Sequence, residues 1–62
     1  MHPLEIEIQA IVEQCQLGNI TEEEQNYLLQ EIRDIRVANE CSENEQLFRQ
    51  IVQTCNIALK LV

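Results

Sequence analysis

Apolar side chains recur at helical spacing in three separate runs of this chain. In the first run, Leu4, Ile8, Ile11 and Cys15 succeed one another at steps of four, three and four residues. Ile6, Ala10 and Leu17 fall on a neighbouring stripe. Such steps keep side chains on one side of a helix with about 3.6 residues per turn, which predicts a first helix from about residue 3 to residue 17. Pro3 suits its first turn, where a missing N–H costs nothing, and Glu5 lies near the positive end of the helix dipole. The second run is Leu28, Ile32 and Ile35, flanked by Tyr27 and Leu29, and it predicts a helix over about 22–38. Arg33 and Arg36 lie in its last turns, where they offset the negative end of the dipole.

The third run carries two seams. Phe48, Val52, Cys55, Leu59 and Val62 form one; Leu47, Ile51, Ala58 and Leu61, with Thr54 completing the period, form the other. A helix is expected over about 43–61, covered on two sides. Its last turns, residues 57–62, are apolar almost all round, which signals burial by more than two helices. No stretch sustains the period-two alternation of a strand; Ile6-Glu7-Ile8 alternates briefly, but helical spacing explains more of that segment.

The breaks between the runs are short. Leu17-Gly18-Asn19-Ile20-Thr21-Glu22-Glu23-Glu24 ends one helix and begins the next. Gly18 can take the left-handed conformation that closes a helix. Thr21 and Glu24 have the spacing of a capping box, in which each side chain receives the other's backbone N–H. Ser42 and Glu45 repeat that spacing ahead of the third run. Short turns make successive helices antiparallel, so the expected fold is all-α: a small three-helix up-down-up bundle forming a single domain, residues 1–62. The alternative geometry is a helical hairpin whose third helix docks on a neighbouring subunit.

Size and charge sharpen this picture. A chain of 62 residues hides only about 60% of its unfolded surface, so self-association or docking onto a larger partner is expected. Eleven acidic residues against four basic ones give a net charge of −7. Such a surface repels phosphate backbones and anionic lipid, which disfavours ordinary nucleic-acid and membrane-surface binding. The charge is uneven: residues 41–62 carry two acids and two bases and are the part most easily buried against something else. No apolar run is long enough to span a bilayer, and the acidic N-terminus does not resemble a signal peptide. Cys15, Cys41 and Cys55 are odd in number and widely spaced, which argues against a disulfide framework and for a reducing, cytoplasmic location.

The inventory of reactive groups is thin. His2 and the three cysteines lack C-x-x-C or H-x-x-x-H spacing, so no metal is expected. Cys15 and Cys55 lie on apolar seams, where cysteine packs as a small hydrophobe, and Cys41 lacks the positive surroundings that would activate it. The one histidine is the second residue, and no other base stands out beside Ser, Thr or Cys. One glycine cannot build a phosphate-binding loop, and two aromatics give no base-stacking platform near Arg33, Arg36 and Arg49. No catalytic residue, metal or cofactor is expected, and the chain reads as a non-enzyme.

The stretch Leu17 to Glu24, continued by Leu28 and Ile32, resembles the short helical hairpin of SHOCT domains, in which a helix ends at G-x-I-T-x-E-E and a second amphipathic helix follows. The likeness covers about half of the chain; Gln25 stands where the family places an aromatic residue, the family's downstream Lys is lacking, and a third helix is added. The resemblance implies a helical hairpin associated with oligomerisation. In general character the chain is also similar to the small virion and assembly proteins of tailed phages.

The function expected from these features is protein–protein interaction, as a structural subunit or assembly factor, including incorporation into a virion. The expected interface is the apolar third helix, through Leu47, Ile51, Ile57, Ala58, Leu61 and Val62, with a protein partner or a second copy as occupant and neither nucleic acid nor membrane. The contrasting expectation is an acidic inhibitor that mimics nucleic acid and occupies a basic groove, using Glu22, Glu23, Glu24 and Glu31.

Overall fold

Gly18, at φ +79, closes the first helix. The computed structural model describes residues 2–60; Leu61 and Val62, two of the expected interface residues, lie outside them. The first helix spans Pro3–Gln16. At its end the Gly18 N–H donates to the Cys15 carbonyl at 3.0 Å and the Asn19 N–H to the Gln14 carbonyl at 2.9 Å. Those two bonds satisfy carbonyls that have no partner within the helix, and they need a left-handed residue at position 18. Three residues later the Thr21 hydroxyl accepts the Glu24 N–H and the Glu24 carboxylate accepts the Thr21 N–H, both at 3.1 Å. The reversal between the first two helices is the one expected from its capping chemistry.

The second helix is longer and less regular than expected. It begins as an α-helix, Glu22–Glu31, passes through a π-helical turn, Ile32–Arg36, and resumes as an α-helix, Val37–Glu40. In the π turn the Val37 N–H reaches the Ile32 carbonyl, five residues back. This turn changes which side chains are buried. Gln25, Leu29, Ile32, Val37 and Cys41 face the core, whereas Leu28 and Ile35, two of the three residues of the expected seam, are 36% and 57% exposed. In an unbroken α-helix five residues rotate a side chain by about 140° beyond a full turn, which would carry Val37 off the face that holds Ile32. The wider π turn takes up that excess, so Val37 and Cys41 return to the core.

The start of the third helix also differs from expectation. Ser42 and Glu43 lie in the connecting turn, and the helix spans Glu45–Ala58. Asn44 is its cap, its side-chain oxygen accepting the Leu47 N–H at 3.1 Å. The box expected at Ser42 and Glu45 does not form, because the second helix continues to Glu40 and the chain needs residues 41–44 to reverse. Glu45 instead occupies the first turn, where the dipole favours it, and pairs with Arg49 at 2.7 Å. The far end is earlier as well: Lys60 adopts φ 62 and its N–H donates to the Ile57 carbonyl at 3.0 Å, which terminates the helix at Ala58.

The three helices form a small all-α bundle, and the described residues contain no strand. One continuous core joins Leu4 and Ile8 of the first helix, Leu29, Ile32 and Val37 of the second, Cys41 just beyond it, and Ile51 and Cys55 of the third. The third helix therefore packs on its own chain. Both of its seams are used: Phe48, Val52 and Leu59 from one, Leu47 and Ala58 from the other, are half-buried against that core. Polar bridges tie the helices at the edges. Arg36 of the second helix pairs with Glu7 of the first and, at 3.1 Å, with Glu40. Arg33 donates to the Asn56 side chain of the third helix at 3.1 Å and pairs with Asp34 at 2.8 Å. Ile6, Ala10 and Leu17, the second apolar stripe expected on the first helix, are exposed.

Candidate docking surfaces

The residues expected to form one interface are divided between core and surface. Ile51 is fully buried within this chain, at 0% exposure, so it does not present an interface. Its position explains this: it belongs to the Leu47 seam of the third helix, and that seam joins the core shared with the other two helices. Leu47 is half-buried against the same core. Ile57 is 58% exposed, and Ala58 is half-buried beside it.

Ile57 and Ala58 lie on an open groove of about 470 Å³ between the first and third helices. Its lining includes Ile8 and Val12 of the first helix and Thr54 of the third, with Gln9, Glu13 and Gln16 along the polar edge. The short side chains of Thr54 and Ala58 leave room where longer ones would close the gap. A second depression, of about 240 Å³, also touches Val12, Gln16 and Ala58 and extends to Cys15, Glu22, Gln25 and Lys60. Sequence reasoning missed the contribution of Ile8 and Val12. The i, i+4 relation of those two residues was available in the sequence, but only packing shows that Val12 borders a gap.

The four acids expected to act together are spread over different places. Glu22, Glu23 and Glu24 are exposed and Glu31 is half-buried. Glu22 borders the depression beside Gln25 and Lys60. Glu23 and Glu24 lie beside Tyr27 and Leu28, and Glu31 lies between Tyr27 and Ile35. Among the described residues none of the four forms an ion pair, although Glu24 is engaged in the helix cap. The three arginines do not gather into a basic patch, since each is paired with an acid. The Arg33 guanidinium, through its hydrogen bond, holds the Asp34 carboxyl below the usual carboxylate range.

The nearest approach to a reactive pair is His2 and Cys41. His2 caps the first helix, its Nδ1 accepting the Leu4 N–H at 3.0 Å. A neutral imidazole that accepts at Nδ1 carries its proton on Nε2, which lies 3.8 Å from the Cys41 sulfur. Burial pushes the Cys41 thiol up, and Glu40 and Glu5 add to the effect. Burial raises the Cys55 thiol as well, against the opposing influence of Arg33. Both groups are therefore held as thiols, the form that packs in a core and does not attack electrophiles. No group of three or more His, Cys, Asp or Glu side chains among the described residues is placed to hold a metal ion.

These two thiols set an alkaline limit on stability. In the unfolded chain they lose their protons near the ordinary thiol value of 9.0, whereas in the folded chain they keep them to higher pH. The folded state then binds more protons than the unfolded one, so stability is intact below that value and falls as pH rises through it. Thermal melts across this range are expected to show a falling midpoint, with a weaker fall in Cys55→Ala relative to that variant's own neutral value. Alkylation of the native protein with iodoacetamide is expected to modify Cys15, which is half-exposed, before Cys41 or Cys55.

No helix among the described residues is long and apolar enough to cross a membrane. In comparisons with known proteins, no family model matches the chain, and no curated protein or solved structure matches it.

Proposed function

We propose that this chain is a non-enzymatic protein-interaction module, a structural subunit or assembly factor, that docks through the groove between its first and third helices. The observation that carries this reading is Ile57. A large aliphatic side chain is left 58% exposed at the edge of a groove floored by Ile8, Val12 and Ala58, although the same helix buries Ile51 and Cys55 completely. An apolar rim around an apolar floor offers area that a partner side chain can remove from water. A second copy of the chain is the occupant we favour, and the SHOCT-like hairpin, in a family associated with oligomerisation, supports that choice. Virion assembly is one setting in which such a module would act.

Light scattering coupled to gel filtration tests the reading. The chain is expected to elute as a dimer or larger species that dissociates on dilution, and Ile57→Asp is expected to be monomeric with an unchanged helical content. A strictly monomeric wild type that captures no partner from its native source removes the basis of the proposal. The contrasting reading, an acidic inhibitor that fills a basic groove, draws on Glu22 and Glu23, which are exposed and form no ion pair among the described residues. It predicts binding that weakens steeply with salt and is lost when Glu22, Glu23, Glu24 and Glu31 become Gln, whereas groove docking tolerates both changes.

A further inference from the structure

The outer face of the second helix carries an apolar strip that the bundle leaves uncovered. Tyr27 is 67% exposed, Ile35 57% and Leu28 36%. The strip runs between two shallow depressions that share Tyr27, one of about 300 Å³ against Leu28 and one of about 190 Å³ against Ile35. Acids alternate with it: Glu23 and Glu24 border the first depression, Glu31 and Asp34 the second. Asp34 is neutralised by Arg33, but Glu23, Glu24 and Glu31 have no ion-pair partner among the described residues.

This face is separate from the groove between the first and third helices, and its charge selects a different occupant. Three of the four basic residues of the chain are already engaged: Arg33 with Asp34, Arg36 with Glu7 and Glu40, Arg49 with Glu45. Lys60 is the fourth. A second copy would therefore bring a net negative surface to a negative strip. We propose that the outer face of the second helix is a docking surface for a basic amphipathic helix of another protein, whose apolar side chains seat on either side of Tyr27 and whose Lys or Arg residues meet Glu23, Glu24 and Glu31. Apolar contact provides the area removed from water, and the acids fix the register and speed the encounter.

The π turn belongs to this arrangement. By returning Val37 to the core it leaves Ile35 outside, next to Glu31 and one turn beyond Tyr27's neighbours. The second helix thus presents two opposite apolar faces, one for its own bundle and one for a partner.

The only tyrosine lies at the centre of the strip, and the chain has no tryptophan, so tyrosine fluorescence reports on this face alone. The probe is an amphipathic helical peptide of Leu and Lys, with a scrambled peptide of the same composition as control. At physiological salt the amphipathic peptide is expected to change the Tyr27 emission and to bind at least about tenfold more tightly than the scrambled one. A labelled form of the peptide is expected to lose about tenfold or more in affinity for the double variant Tyr27→Ala with Ile35→Ala. A comparable loss is expected when Glu23, Glu24 and Glu31 become Gln, a change that keeps the cap at Thr21 because Gln can replace Glu in a capping box. Ile57→Asp is expected to bind the peptide as the wild type does, so this test is independent of the groove. Equal affinity for the scrambled peptide, a silent Tyr27, or binding insensitive to the Tyr27 and Ile35 substitutions overturns the proposal.

Discussion

Replacing Ile51 by Ala is expected to unfold a large fraction of the molecules near room temperature. Ile51 is fully buried among all three helices, and truncating a buried Ile costs about 2–5 kcal/mol through lost transfer energy and the cavity left behind. A domain of 62 residues has a total stability of about 3–9 kcal/mol at typical values per residue. The loss is therefore comparable to the whole. Urea titration followed by far-UV circular dichroism should show the midpoint collapse. Ile57→Ala, on the same helix, is expected to stay within about 0.5 kcal/mol, since most of its side chain is already in water. The contrast separates a core residue from a surface residue on one helix. A small effect at Ile51, with a large one at Ile57, would mean that the third helix turns a different face to the other two.

The second large effect is expected within the second helix, where adjacent residues should behave in opposite ways. Leu29→Ala should cost about 2–5 kcal/mol and Leu28→Ala clearly less, because Leu29 is fully buried whereas Leu28 is 36% exposed. Val37 and Ile35 should divide in the same sense. Deleting Ile35 altogether is the more demanding experiment. It makes Ile32 and Val37 neighbours at i, i+4, so an unbroken α-helix then holds Leu29, Ile32, Val37 and Cys41 on one face. The deletion variant is expected to fold with the π turn converted to α, as judged by backbone chemical shifts, and to retain most of its stability. If the deletion unfolds the protein while Leu29→Ala does not, then Leu29 and Val37 do not share the buried face of this helix.

The same helix shows how far the amino-acid pattern could be read. Leu28, Ile32 and Ile35 satisfy steps of four and three, and in an uninterrupted α-helix they form the better seam. Yet Leu29, Ile32, Val37 and Cys41 are what the bundle buries. A period read along the chain assumes one constant rotation per residue, and a single turn with a five-residue hydrogen bond breaks that assumption for everything after it. The error at Ser42 has a related origin. The Ser42–Glu45 spacing is a valid box in isolation, but the end of the preceding helix is determined by where Val37 and Cys41 must lie, and that pushes the next start to Asn44. The division of the third helix has a different cause. Its two seams were legible, but Ile51 became core and Ile57 surface according to which sides two other helices happened to cover.

What the sequence determined by itself is the local and short-range part. Gly18, Thr21 and Glu24 specify the first reversal through hydrogen bonds that span at most five residues, and the runs of apolar spacing specify three helices and no strand. Leu4, Ile8, Ile32 and Cys55 are buried as their seams predict, but the choice of Leu29 over Leu28, Val37 over Ile35 and Ile51 over Ile57 was decided only by the tertiary structure. Burial is a property of three helices at once, and the free energy of covering Val37 and Cys41 outweighs the preference of five residues for a regular α turn.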